Sequence, residues 1–319
     1  MAATQANDKV ATRVPEGAPD FSIVIVNFNG ETLLRDCLRS LRETRGLLGL
    51  EVILVDNASR DTSVATARTE WPGVVLLQQS RNVGYVPANN VGLRRATGRY
   101  AMFLNNDTVL HPGCLQELLS FLDGHPEVGA ASVQILNPDG SDQGTARRFP
   151  SVLNGVFGRR SVLTRLFPNN RWSRRYMLGR HQTGTDPFEV EILSSACMVV
   201  RTALANQLGG MDEAFTLYWV DAELCSRVRR LGYKVYCVPR ARLTHFEGQG
   251  GSTKTWRQRF RATIAFHRDA YFAYVKVHRL LSWNARALMA AALLSGRAAM
   301  VMLLLVIRPW RATTSGGKN

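Results

Sequence analysis

Apolar and polar positions alternate along the chain in blocks of two kinds. Ser22-Ile23-Val24-Ile25-Val26 is a nearly unbroken β-branched run, which fits a strand covered on both faces. Asn27-Phe28-Asn29-Gly30 breaks it, and Glu31 to Thr44 then carries Leu33, Leu34, Cys37, Leu38 and Leu41 at helical spacing. Val52-Ile53-Leu54-Val55 is a second strand ending on Asp56-Asn57, with Ser59 or Asp61 as N-cap of the next helix. Val74–Leu77 predicts a third strand. A helix from about Pro87 to Ala96 follows, with Pro at its start and Gly98 past its end. Tyr100–Leu104 is the fourth strand and runs into Asn105-Asn106-Asp107.

Four strand–helix alternations with short connections predict an α/β fold whose mostly parallel sheet has helices on both faces. Ligands of such sheets bind outside the carboxyl ends of the strands. Asn27/Asn29, Asp56/Asn57 and Asn106/Asp107 therefore should converge. Beyond Pro112, a helix to about Gly124 and a strand over Val128–Ile135 continue the pattern, which lapses between Asn137 and Phe188 in a long excursion containing Trp172. Strands at Val190–Leu193 and Met198–Val200, helices at Thr202–Leu208 and Asp221–Leu231, and a strand at Lys234–Val238 complete the expected body.

Charge changes the picture at the C-terminus. The 319-residue chain has a formal net charge of +15, and Lys254–Asn319 holds twelve Lys or Arg against one acid, Asp269. A basic tail beside a nearly balanced body favours an anionic membrane surface over a soluble anion. Residues 287–307 are almost wholly apolar and long enough to span a bilayer, but Arg297 lies mid-segment. Arg286, Arg297 and Arg308 fall eleven residues apart, about three helical turns, so they share a stripe. An in-plane membrane helix is one reading; a transmembrane hairpin and a helix packed on a partner are the others. Five scattered cysteines without a CxxC pair indicate a reducing compartment and no zinc site. Residues 1–20 have no apolar core of a secretory signal and are expected to be disordered.

Asp107, at a strand end facing the expected crevice, suits Mg²⁺ or Mn²⁺, which prefer oxygen ligands. Taken alone it fits a turn or helix cap equally well. Asp221 and Glu223 open a helix, where acids are favourable in any case, and Glu223 falls on another face.

The ordered set of motifs goes further. It comprises Val24–Asn29, Val55-Asp56-Asn57-Ala58-Ser59-Arg60-Asp61, Asn82-Val83-Gly84-Tyr85 with Ala88-Asn89-Asn90, and Phe103–Asp107. Met211–Phe215, Trp219-Val220-Asp221-Ala222-Glu223-Leu224-Cys225 and His245 complete it. In this set the chain resembles the inverting nucleotide-sugar glycosyltransferases of the GT-A fold (family 2 type), and within them the bacterial rhamnosyl- and galactofuranosyltransferase-like branch.

The resemblance implies a GT-A (Rossmann-like) domain over 21–252, while charge and apolar length make 253–319 an expected helical membrane-associating tail. It implies that Asp56 accepts a hydrogen bond from the donor's pyrimidine, that Phe28 packs on the base, and that Asn82, Asn89 and Asn106 belong to the donor site. Asp107 would hold the metal with His245 as its second protein ligand, and Asp221 would be the general base. Asn106 replaces a frequent second acid, and Val220 replaces an acid before the base. Ser195 stands where glycine is frequent. The donor implied is deoxythymidine-diphosphate-rhamnose, with a uridine-diphosphate sugar next. The acceptor would be a saccharide or lipid-linked saccharide, at the inner face of the cell membrane, in cell-surface polysaccharide synthesis. A nucleotidyltransferase would need a glycine-rich basic phosphate loop, which Asn27–Glu31 lacks. A nucleic-acid partner is not expected, because the charge gathers in an apolar tail. A catalytically inactive relative is the remaining alternative.

Overall fold

The computed structural model describes residues 17–149, 166, 167, 176, 178, 184–248 and 255–307. Residues 1–16, most of the 137–188 excursion with Trp172, and Arg308 lie outside the described residues.

The first half forms as the apolar blocks dictate. Strands β1 (Phe21–Asn27), β2 (Leu50–Asp56), β3 (Val75–Gln78) and β4 (Tyr100–Asn105) are separated by helices α1 (Glu31–Thr44), α2 (Ser63–Glu70) and α3 (Tyr85–Leu93). All three pairings among these strands, β1 with β2, β1 with β4 and β2 with β3, are parallel. Side chains of β1 alternate between two cores. Phe21, Ile23 and Ile25 meet α1, α2 and the later helix α4 (Cys114–Gly124), while Val24 meets the α3 side. Gly92 of α3 lets that helix approach closely, since a Cβ there would lie 2.3 Å from a methyl of Val24. Pro87 sits in the third position of α3 rather than the first; its missing N–H is still one of those a helix start leaves unpaired.

After β4 the sheet becomes mixed. It continues with β5 (Thr108–Leu110), β6 (Val128–Leu136), β7 (Phe188–Glu189), β8 (Cys197–Arg201) and β9 (Lys234–His245), in the spatial order β3-β2-β1-β4-β8-β6-β9-β5, with β7 on β9. Strand β8 is antiparallel to both β4 and β6, β6 and β9 are parallel, and β5 is antiparallel to β9. Helices α5 (Thr202–Gln207) and α6 (Val220–Arg230) cover the second core face. The segment 190–193 makes no ladder of its own; Ile192 forms only an isolated bridge with Arg147.

The chain closes with α7 (Trp256–His278), started by a complete Thr255/Gln258 capping box, and α8 (Ala285–Ile307). Asp269 of α7 is fully buried. Its carboxylate accepts from the Thr216 N–H and hydroxyl at 3.0 and 2.6 Å and from the Leu217 N–H at 3.4 Å. Phe266 packs on Tyr218 and Trp219, and Phe272 on Phe215. Helix α7 is thus bolted to the segment leading into α6, so part of the expected tail belongs structurally to the body.

Candidate active site

Parallel pairing puts the carboxyl ends of β1, β2 and β4 side by side, and short polar side chains knit them together. Asn106 donates to Asn27 Oδ1 at 2.7 Å, and Asn27 donates to Ser59 Oγ at 3.2 Å. The Ser59 hydroxyl also takes the Asn29 N–H, and Asn29 Oδ1 takes the Arg60 N–H. A Cβ on Gly30 would fall 2.5 Å from the Asn106 amide, so this crossing needs glycine. Of the non-glycine residues described at positive φ, Asn29 (51°), Ala58 (63°) and Trp219 (63°) all lie in site loops. Strain gathered in this way is characteristic of functional loops.

Asp56 is 2 % exposed. One carboxylate oxygen accepts the Ser59 N–H at 3.1 Å; the other, Oδ1, is buried without a partner. Leaving a buried carboxylate oxygen unpaired costs about 1–3 kcal/mol, which a ligand donor would recover. Phe28, nearby in sequence, is 44 % exposed, an uncommon setting for a large aromatic. Asn82 closes a local turn onto the Gly84 N–H, and Asn89 is buried and donates to the Tyr85 carbonyl. Asn89 and Asn106 thus spend amide donors on the frame around the donor region. Asn90 clamps α3 to the Met211 backbone and to Glu213.

The register of β5 against β9 sets Thr108 opposite His245. It thereby brings Asp107 beside a residue 138 positions later, with its Oδ1 3.1 Å from His245 Nε2. Both are buried, and Asp107 Oδ1 has no hydrogen-bond partner. An oxygen and an imidazole nitrogen converging this way form a donor set suited to Mn²⁺ or Mg²⁺. Among the described residues no group of three or more His, Cys, Asp or Glu could hold a metal ion. A cation here would therefore take two protein ligands and complete its shell with phosphate oxygens and water.

Asp221, in the first turn of α6, is the second carboxylate. Burial raises its pKa above the ordinary carboxylate value, with Arg147 and the N–H groups of Ala222 and Ser195 pulling part of the way back. The Arg147 guanidinium stands 3.7 Å from it. Tyr85 lies in the same region: its hydroxyl is 3.0 Å from the Ser195 carbonyl and 3.1 Å from Asn105 Oδ1. Burial, and then the charges of Asp221 and Asp107, raise the Tyr85 pKa, so the phenol stays neutral. Glu223 instead makes a bidentate pair with Arg227, which also ties the Leu208 and Gly210 carbonyls. Asp212 pairs with Lys276 of α7.

Tyr85, Asn105, Gln143 and Arg147 join the candidate site beyond the residues first singled out, beside Ser195, already noted where glycine is frequent. Tyr85 and Asn105 lay inside quoted motifs, but Gln143 and Arg147 fall in the stretch with no periodic signal. A concavity of about 600 Å³ lined by Asn90, Met211, Arg230 and Lys276, among others, includes none of Asp56, Asp107, Asp221 and His245.

Comparison with known proteins agrees with this architecture. Residues 22–209 match the model of glycosyl transferase family 2. The chain belongs to that family. It is 29 % identical over 240 residues to the N-acetylglucosaminyl-diphospho-decaprenol L-rhamnosyltransferase of Mycobacterium tuberculosis, covering 72 % of this chain and 76 % of that one. It is 30 % identical over 238 residues to the O-antigen biosynthesis protein RfbC of Myxococcus xanthus, covering 72 % of this chain but only 18 % of that protein. Among solved structures, the mannosyltransferase PcManGT of Pyrobaculum calidifontis, in complex with GDP-Man and Mn²⁺, superposes with a TM-score of 0.54. The match has 18 % identity and covers 91 % of this chain and 80 % of that one. S. aureus TarS 1-349 in complex with UDP-GlcNAc gives a TM-score of 0.52 at 16 % identity, covering 92 % and 76 %. The GT-A-like α/β fold and the role in sugar transfer follow.

Proposed function

We propose that this family 2 glycosyltransferase is a metal-assisted inverting enzyme that moves a sugar, rhamnose first, from a nucleoside-diphosphate donor to a lipid-linked saccharide. The observation that carries this reading is the pairing of two buried acids with different surroundings. Asp107 shares a cation-sized junction with His245, while Asp221 is desolvated beside Arg147. Asp221 takes the proton of the acceptor hydroxyl as its oxygen attacks the anomeric carbon. The bond from that carbon to the diphosphate breaks on the opposite face, so the centre inverts. A divalent ion held by Asp107 and His245 supplies Lewis-acid stabilisation of the departing diphosphate. Asp56 and Phe28 hold the pyrimidine. The L-rhamnosyltransferase name of the mycobacterial relative supports the choice of sugar and a lipid-diphosphate acceptor. The exposed apolar face of α8 supports a membrane-seated acceptor.

The test is a thermal-shift panel of nucleotide sugars with and without Mn²⁺, followed by transfer assays on an N-acetylglucosaminyl-diphospho-lipid. Stabilisation by deoxythymidine-diphosphate-rhamnose that needs Mn²⁺, and an inverted product, are expected. Stabilisation by no nucleotide sugar would overturn the reading.

A further inference from the structure

Gln143 lies in the stretch without periodic signal and is 2 % exposed. Its backbone is fixed by a hydrogen bond from its N–H to the Ile135 carbonyl at 2.9 Å. Its side chain touches His245 twice. The amide nitrogen donates to the His245 carbonyl at 3.0 Å, and Oε1 lies 3.0 Å from His245 Nδ1. A carbonyl only accepts, so the first contact orients the amide: the nitrogen faces the backbone, and the oxygen must face the ring. That oxygen is also only an acceptor. Nδ1 therefore carries a proton, and in the neutral ring, the form that binds a metal, the lone pair falls on Nε2, the atom 3.1 Å from Asp107 Oδ1.

On the far side of the ring the Asn105 amide makes a long 3.5 Å contact with Nε2, and the Tyr85 hydroxyl, 3.0 Å from the Ser195 carbonyl and 3.1 Å from Asn105, leaves that amide free to turn either way. The tautomer is therefore set by Gln143. In that form Nε2 and Asp107 Oδ1 offer lone pairs to the same point, which is the arrangement a shared cation needs.

We propose that Gln143 is a positioning residue that locks the His245 tautomer and ring plane for metal binding. The lock is two-pointed because its second bond goes to the backbone of the same histidine. The ring therefore cannot rotate without breaking the bond to Nδ1, and the amide cannot flip without breaking the bond to the carbonyl. Outer partners of metal-binding histidines typically change metal affinity 10–100-fold when removed. The proposal rests on the reading of Asp107 and His245 as metal ligands, and its test separates the two.

Full-length protein, Gln143→Leu, Gln143→Glu and His245→Ala are compared for Mn²⁺ affinity by electron paramagnetic resonance and for thermal stability. Long-range ¹H–¹⁵N spectra of the wild type without metal report the His245 tautomer directly. We expect the Nδ1–H tautomer in the wild type and roughly 10–100-fold weaker Mn²⁺ binding by Gln143→Leu. Gln143→Glu keeps an acceptor on Nδ1 and should keep most of the affinity. An Nε2–H tautomer in the wild type, or wild-type Mn²⁺ affinity in Gln143→Leu, would overturn the proposal. The tautomer measurement decides even if the leucine variant fails to fold. Mn²⁺ binding unaffected by His245→Ala would instead strike the underlying metal reading, whatever the tautomer.

Discussion

At the scale of single residues, the site is made of acids whose surroundings differ. Asp221 is held above the usual carboxylate range by burial, so the native state keeps its proton more tightly than the unfolded chain does. Its contribution to stability is therefore greatest in acid and falls as pH rises through the raised native value; above that value the ionised form is a constant cost. Asp221→Asn removes this cost together with the base. The variant should melt no lower than wild type at pH 7.5, lose that advantage on acidification, and transfer sugar about 10²–10⁴-fold more slowly. A clearly lower melting temperature at pH 7.5 would mark Asp221 as a helix cap instead. Asp56→Ala takes away the buried oxygen that lacks a partner, and should raise the donor KM roughly 10–100-fold while leaving kcat close to wild type. Steady-state kinetics in donor concentration check it. Asp56, Asp107 and Asp221 each sit where an apolar block stops or a helix begins, a place that suits a turn or cap as well, and only the ordered motifs single them out as candidates. Gln143 and Arg147 were not legible, because a polar residue in an irregular stretch acquires meaning only from what the fold sets against it.

At the scale of elements, strand β9 decides whether Asp107 and His245 meet. The apolar run predicts a strand from Lys234 to Val238, yet the strand continues through Pro239 to His245. A register shift between Val133 and Gln134 of the neighbouring strand accommodates the proline, and pairing resumes at Arg242. The continuation was readable in principle: Ala241, Leu243 and His245 point inward while Arg240 and Arg242 are exposed, a period of two. The packing of helix α7 was less legible for a comparable reason, since its aromatics between cations fit a membrane surface and a core equally well. Asp269, the single acid of that segment, was the available signal. Asp269→Ala removes a buried acceptor of three contacts from Thr216 and Leu217 and should cost roughly 2–4 kcal/mol of stability. It should also lower kcat, because Trp219 and Asp221 follow directly from the freed segment. Denaturant unfolding with transfer assays on the same preparation would show the two effects together; loss of stability with unchanged kcat would mean that α6 holds Asp221 in place unaided.

At the scale of the whole molecule, the body and α8 present different surfaces. Helix α8 buries a stripe of small residues, Ala287, Ala290 and Ala298, and leaves Leu288, Met289, Leu293, Met300, Leu303 and Leu304 exposed. It is the one helix among the described residues long and apolar enough to cross a membrane, and it packs on α7. Arg297 does not stand on the free face. It is half-buried, its pKa lowered by that burial, with the charge of Tyr176 acting the other way. The cation that makes residues 287–307 a costly lone span is therefore turned partly into the protein, and the free face is apolar. That arrangement suits a helix lying in the plane of a bilayer, its outer face in the acyl boundary and Arg286 at headgroup level. Trp283, 74 % exposed in the α7–α8 turn, suits the same depth. Replacing Leu293 and Leu304 by Asp puts two charges on that face without touching the stripe against α7. The double variant should float poorly with anionic vesicles yet keep wild-type melting temperature and donor binding, and should lose transfer to a lipid-linked acceptor more than to a soluble analogue. Undiminished flotation would show that another surface seats the protein. A collapse in melting temperature would instead mean that this face is covered by protein in solution, because an exposed Leu-to-Asp change on a monomer perturbs folding little.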